Sequence, residues 1–97
     1  MHSATTELDV FDQQLLNVLR CPLDRSALTL AESRLVRQIN QGIAAGKIIN
    51  MAGQPLNRPI DGGLIRAAGD VLYPVIDAIP VMLPDEAVDL SQLQGEP

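Results

Sequence analysis

Aromatic side chains are almost absent: the chain has one Phe (Phe11), one Tyr (Tyr73) and no Trp. A core must therefore come from Leu, Ile, Val and Met, and no set of exposed rings is available for stacking nucleic-acid bases. A single cysteine, Cys21, excludes an internal disulfide and gives no sign of secretion. The sole histidine, His2, lies in a polar leader, so neither Cys21 nor Ser26 has a base in view, and no enzyme activity is expected. No glycine-rich phosphate loop is present; Gly62-Gly63 reads as a turn. Long apolar runs are missing too. The most apolar stretch, Val71 to Leu83, is broken by Pro74, Asp77 and Pro80, short of the 18 or so residues a membrane span needs. Met1 to Asp12 has neither the basic start nor the apolar centre of a signal peptide. The expectation is a cytoplasmic protein with no membrane contact.

What remains is ordinary globular material. The 97 residues, 46% hydrophobic and 20% charged, suit one α+β domain, 1–97. Its expected parts are a loose leader over 1–8, an inserted helical segment over 31–61 and a frayed tail over 91–97. A net charge of −5 argues against direct nucleic-acid binding through bulk charge. Basic residues end at Arg66, and the stretch from Gly69 onward is acidic. Arg34 and Arg37 share a helix face, which reads as a solvated surface or as a contact for an acidic partner or a partner's RNA.

Asp9 can cap a helix over Val10–Arg20, with Phe11, Leu15, Val18 and Leu19 on one face. Cys21-Pro22-Leu23-Asp24 follows as a tight turn, in which Asp24 can bond a backbone N–H two residues on. Ala27–Leu30 reads as a strand. A helix over Glu32–Ala45 buries Leu35, Val36, Ile39 and Ile43 and stops at Gly46. Lys47–Met51 reads as extended and Asp61-Gly62-Gly63 as a turn. Val71–Ile76 and Ile79–Leu83 read as strands joined by an Asp77-Ala78 turn. A last short helix starts after Pro84, with Asp85 and Glu86 in its first turn.

Ile79, Pro80, Val81, Met82 and Leu83 form the candidate partner-binding edge. Pro74 and Pro80 donate no ladder hydrogen bond, which places their strands at or near a sheet edge. An apolar edge without charge is either covered by the same domain or completed by a strand of another chain. Alternation separates Ile79, Val81 and Leu83 from Pro80 and Met82, and three branched side chains favour the odd set inward.

Leu15-Leu16-Asn17-Val18-Leu19-Arg20-Cys21-Pro22 resembles the helix and Cys-Pro opening of the tRNA methyltransferase 112-like family. Leu64-Ile65 and then Leu72-Tyr73-Pro74-Val75-Ile76-Asp77-Ala78-Ile79-Pro80-Val81-Met82-Leu83, followed by Glu86-Ala87, resembles its closing signature of Tyr-Pro, Asp-Gly-Ile-Pro and an apolar strand. The two blocks cover about half the chain. The resemblance implies a small, mostly antiparallel, zinc-ribbon-like core with an inserted helix. It also implies a non-catalytic subunit that stabilises or activates a class I S-adenosylmethionine-dependent methyltransferase acting on RNA or a translation factor. A self-associating domain that pairs this edge with its own copy, as a homodimer, is the alternative.

The resemblance also implies a zinc site, and here the chain departs from it. Asp24 stands where the second cysteine of the first knuckle belongs, Arg66 where the third belongs, and Asp70 lies near the fourth. Four Cys or His ligands are normal for structural zinc, so no metal or other cofactor is expected. Cys21, Pro22, Asp24, Arg66 and Asp70 then remain as a structural turn, a former metal site that an Asp24–Arg66 or Asp70–Arg66 pair would clip together.

Overall fold

The computed structural model describes residues 18–93. The leader with His2 and almost all of the helix expected over 10–20 lie outside the described residues. Of that helix Val18 alone is described as helical, and it is exposed, not part of a buried stripe. Arg20 is already extended, bridged to Ala27 across the Cys21–Asp24 turn.

The elements run β1 (Leu28–Leu30), α1 (Ser33–Ala44), β2 (Gly62–Arg66), β3 (Val71–Ile76), β4 (Ile79–Pro80) and β5 (Val88–Asp89). Every strand pairing among the described residues is antiparallel. The architecture is a small α+β fold with one helix inserted between β1 and β2. The sheet order is β1-β2-β3-β4, and β5 also pairs with β3. Because β2 occupies one edge of β3, β4 and β5 share the other, β5 at Val71 and Leu72 and β4 at Val75 and Ile76.

Local chemistry accounts for these boundaries. Helix α1 ends where Gly46 adopts φ +73°, with Gly46 N–H donating to Ile43 O at 3.0 Å and Lys47 N–H to Gly42 O at 2.8 Å. That pair of bonds satisfies carbonyls the helix would otherwise leave open. Pro74 sits in the central strand β3 and not at an edge. Its carbonyl accepts Val81 N–H at 2.8 Å, so its missing N–H faces the same side, between the stretches of β3 that β5 and β4 occupy. Gly62 and Gly63 are strand residues where a turn was expected. A Cβ on Gly63 would lie 2.5 Å from Leu72 Cδ1, so the glycine serves close packing across the β2–β3 pair.

Strand alternation splits the core into two layers. Leu64 faces Tyr73, and with Cys21, Leu28, Val71, Val75 and Ala87 they fill one side, joined by half-buried Leu19, Leu30 and Met82. Leu72 faces Ile65 on the other side, where Ile39 and Ile43 of α1 pack with Ile48, Ile60, Val88 and Leu90. Asn40 secures the connection that follows α1. Its amide donates to Ile60 O at 2.9 Å and accepts from Ile60 N–H at 2.8 Å.

The C-terminal part differs most from expectation. The strand expected over Ile79–Leu83 is paired only at Ile79–Pro80, because the chain leaves the sheet after Val81 to enter a 3-10 turn at Pro84–Glu86. Of the tail expected to fray over 91–97, residues 91–93 belong to a 3-10 turn, Leu90–Leu93, and 94–97 lie outside the described residues. Gln92 pins it by exchanging hydrogen bonds with the backbone of Ile49 at 3.0 and 3.1 Å.

Candidate functional site

Two features stand out, a charged clip at one end of the sheet and an apolar edge at β4. Register builds the clip. Leu28 pairs with Arg66, so the Pro22–Asp24 turn before β1 and the Ala67–Asp70 reversal after β2 lie at the same end. Cys21 N–H donates to Ser26 O at 3.0 Å and Arg25 N–H to Cys21 O at 2.7 Å, with Arg25 at φ +64°. Asp24 accepts Ser26 N–H at 3.0 Å, two residues on as expected. Ser26 Oγ accepts Ala67 N–H at 3.2 Å and ties the two turns together.

Arg66 lies between the carboxylates. Its Nε and Nη2 hold Asp70 through two bonds of 2.7 and 2.8 Å, and Nη1 reaches Asp24 Oδ2 at 3.5 Å. The fork on Asp70 is the geometry guanidinium and carboxylate share best. The bonds to Arg66 hold the Asp70 carboxyl below the usual carboxylate range. Asp24 is lowered as well, first by the Ser26 backbone N–H, then by the Ser26 and Cys21 side chains and the Arg66 charge. The bond to Asp70 in turn raises Arg66.

Under the clip, fully buried Cys21 and Tyr73 meet with Sγ and Oη 3.0 Å apart, and Leu23 N–H donates to the same sulfur at 3.4 Å. Loss of water around the ring, and then the bond to Cys21, push the Tyr73 phenol up from its ordinary value. The structure thus brings Cys21, Asp24, Arg66 and Asp70 together, while Pro22 shapes the turn on the exposed side. The partner that sequence reasoning missed for Cys21 is Tyr73; the lone thiol and the lone phenol were its only signal.

The zinc implied by the resemblance does not fit these residues. A guanidinium lies among the would-be ligands, and among the described residues no three His, Cys, Asp or Glu side chains gather closely enough to hold a metal ion.

At the other feature, Ile79 is 64% and Leu83 61% exposed, whereas Met82 packs against the Tyr73 layer. Ile79 and Leu83 of the odd set therefore point outward, against expectation. Pairing decides the side: Pro80 faces Val75, which puts the even residues on the Tyr73 side, and Ile79 faces Ile76. Val81 and Pro80 are half-buried. Beside this edge runs a groove of about 260 Å³ lined by Pro55, Leu56, Pro74, Ile76 and Val81, with Asn50, Arg58 and Glu86 among its polar members. Asn50 is buried; its amide oxygen accepts Gln54 N–H at 3.0 Å and its nitrogen donates to Glu86 at 3.5 Å. Arg58 pairs with Asp77 at 3.4 Å in the open. A second cavity of about 290 Å³ beside α1 is lined by Gln38, Gln41, Lys47 and Gln92, which hold no acid–base pair. No helix among the described residues is long and apolar enough to cross a membrane.

No protein-family model matches the sequence, and no curated protein matches it either. Among solved structures the chain is similar to XF2673 from Xylella fastidiosa, a structural-genomics target determined by NMR in solution. The two share 31% sequence identity over 89% of each chain, with a TM-score of 0.69.

Proposed function

The chain belongs to the same family as XF2673 of Xylella fastidiosa, and we propose that its fold serves as a small, non-catalytic binding subunit that stabilises or activates a protein partner. One observation carries the reading: Ile79 on the edge strand β4 and Leu83 just beyond it both stand exposed, beside a groove of mixed apolar and polar lining. A partner strand laid beside β4 would gain side-chain contacts from these residues and a main-chain hydrogen bond to the outward Pro80 carbonyl, Pro80 having no N–H to donate. The clip at the other end favours no chemistry, since its thiol is buried and its charges already pair with one another.

The class of partner comes from the resemblance of the Cys21-Pro22 and Tyr73–Leu83 blocks to the tRNA methyltransferase 112-like family. It is a class I S-adenosylmethionine-dependent methyltransferase acting on RNA or a translation factor, and the setting is cytoplasmic. Co-expression with the class I methyltransferases of the source organism tests it. One of them should co-purify in a one-to-one complex and gain solubility or activity, and Ile79→Asp with Leu83→Asp should abolish the complex while the subunit stays folded. If none is retained and the purified chain instead runs at twice its monomer mass, falling to monomer in the same variant, the edge pairs two copies and the methyltransferase reading is lost.

A further inference from the structure

We propose that Arg66 is the resident structural cation of this fold, its guanidinium joining the Cys21–Asp24 turn to the Arg66–Asp70 turn through Asp24 and Asp70 as an ion joins the two turns of a metal knuckle. The spacing is the first argument. Two residues separate Cys21 from Asp24 and three separate Arg66 from Asp70, within the range over which paired ligands on a tight turn reach one ion. The placement is the second. The two turns lie side by side at the end of the β1–β2 pair and are tied by the Ser26–Ala67 bond.

Convergence on one positive charge is the third argument. Asp70 takes the guanidinium through two bonds from one turn, and Asp24 reaches it from the other. Cys21 opens the first turn, and its buried sulfur faces Tyr73 Oη at 3.0 Å beneath the ion pairs. The Arg66 side chain is only 19% exposed, so the cation is part of the structure and not a surface ornament. A guanidinium never deprotonates and arrives with the chain. The clip is therefore complete as soon as β1 meets β2 and needs no metal supply. It also keeps metal out, because a fixed positive charge stands where an ion would go. None of this depends on what the β4 edge binds.

The combined variant Asp24→Cys, Arg66→Cys, Asp70→Cys, which keeps native Cys21, tests the assignment. After equilibration with zinc and dialysis it should hold one zinc per chain, and its melting temperature should fall when a chelator removes the metal. The wild-type protein should hold less than a tenth of that zinc and melt at the same temperature with or without the chelator. A folded combined variant that takes up no zinc, or a wild-type chain that carries zinc in one-to-one ratio, overturns the proposal. Single variants secure the test should the combined one fail to fold. Arg66→Lys, which keeps a charge but loses the fork, should melt between wild type and Arg66→Ala. An Arg66→Ala protein that melts like wild type means that Arg66 holds nothing together.

Discussion

Tyr73 Oη and Cys21 Sγ lie 3.0 Å apart although they stand 52 positions apart in the chain. Each is the other's side-chain partner in a core that has no other aromatic residue among its buried members. The bond joins the centre of β3 to the turn that carries the Asp24 side of the clip. Tyr73→Ala should cost about 3–5 kcal/mol, as large aromatic truncations do. Tyr73→Phe, which removes only the bond, should cost about 0.5–1.5 kcal/mol. Chemical denaturation of the three proteins measures both.

The same pair sets the alkaline limb of stability. The Tyr73 phenol is raised above its ordinary value of 10.0 by burial and by the Cys21 bond, so the folded state keeps a proton that the unfolded chain releases. This contribution is whole below pH 10 and is lost as pH rises toward the folded value. Tyr73→Phe should flatten the fall in melting temperature above pH 10, whatever it does to stability at neutral pH.

At the acid end the sign is reversed. Asp24 and Asp70 titrate below the ordinary 3.8 when folded, so the unfolded chain takes up protons first. Their contribution is present above about pH 4 and disappears as pH falls through the folded values. Melting followed from pH 6 down to 2 should show a smaller acid loss for Asp70→Asn than for wild type. Equal slopes would remove Asp70 from the clip.

Met82 and Ile79 should separate cleanly under the same substitution. Met82→Asp puts a carboxylate against the Tyr73 layer and should lower the melting temperature sharply. Ile79→Asp, at a position 64% exposed, should leave melting within a degree or two of wild type. A Met82→Asp protein as stable as Ile79→Asp would place both residues on the surface.

Ala78 stands at φ +66° after Asp77 at φ +54°, in a two-residue loop between the paired Ile76 and Ile79. Such loops favour glycine, and an alanine there carries backbone strain. Ala78→Gly should stabilise the protein by about 0.5–1 kcal/mol, the relief of strain exceeding the added freedom of the unfolded chain. Thermal melting checks it, and destabilisation would mean the hairpin is unstrained.

Much of the architecture is legible in local pattern. Leu35, Val36, Ile39 and Ile43 at helical spacing, closed by Gly46, mark α1 to within one residue at each end. Alternation separates Ile79 from Pro80, and its extension to Leu83 fails because the chain leaves the sheet after Val81. What alternation lacks is a side, because only the pairing of Pro80 with Val75 says which set meets the core. Val88–Asp89 is too short to have a period at all, and joins the sheet only because Val71 and Leu72 offer it an edge. The clip is implied by where Asp24, Arg66 and Asp70 fall against the resembled family's ligand positions, and the Arg66 bonds to both carboxylates supply its geometry. The Cys21–Tyr73 bond does not, since nothing local connects residues so far apart.

The pairing of β1 with β2 closes a loop that contains α1 and everything up to Asp61. The hairpins from β2 to β4 need only short closures and can assemble early, whereas β1 must wait for a chain of some thirty residues to find its ends. For a flexible loop, doubling that length would add only about 0.6 kcal/mol to the cost of closure. The segment between Leu30 and Gly62 can thus lengthen or shorten at its exposed stretch over 51–55, while Ile39, Ile43, Ile48 and Ile60 hold it on the sheet and the register of β1 with β2 stays where it is.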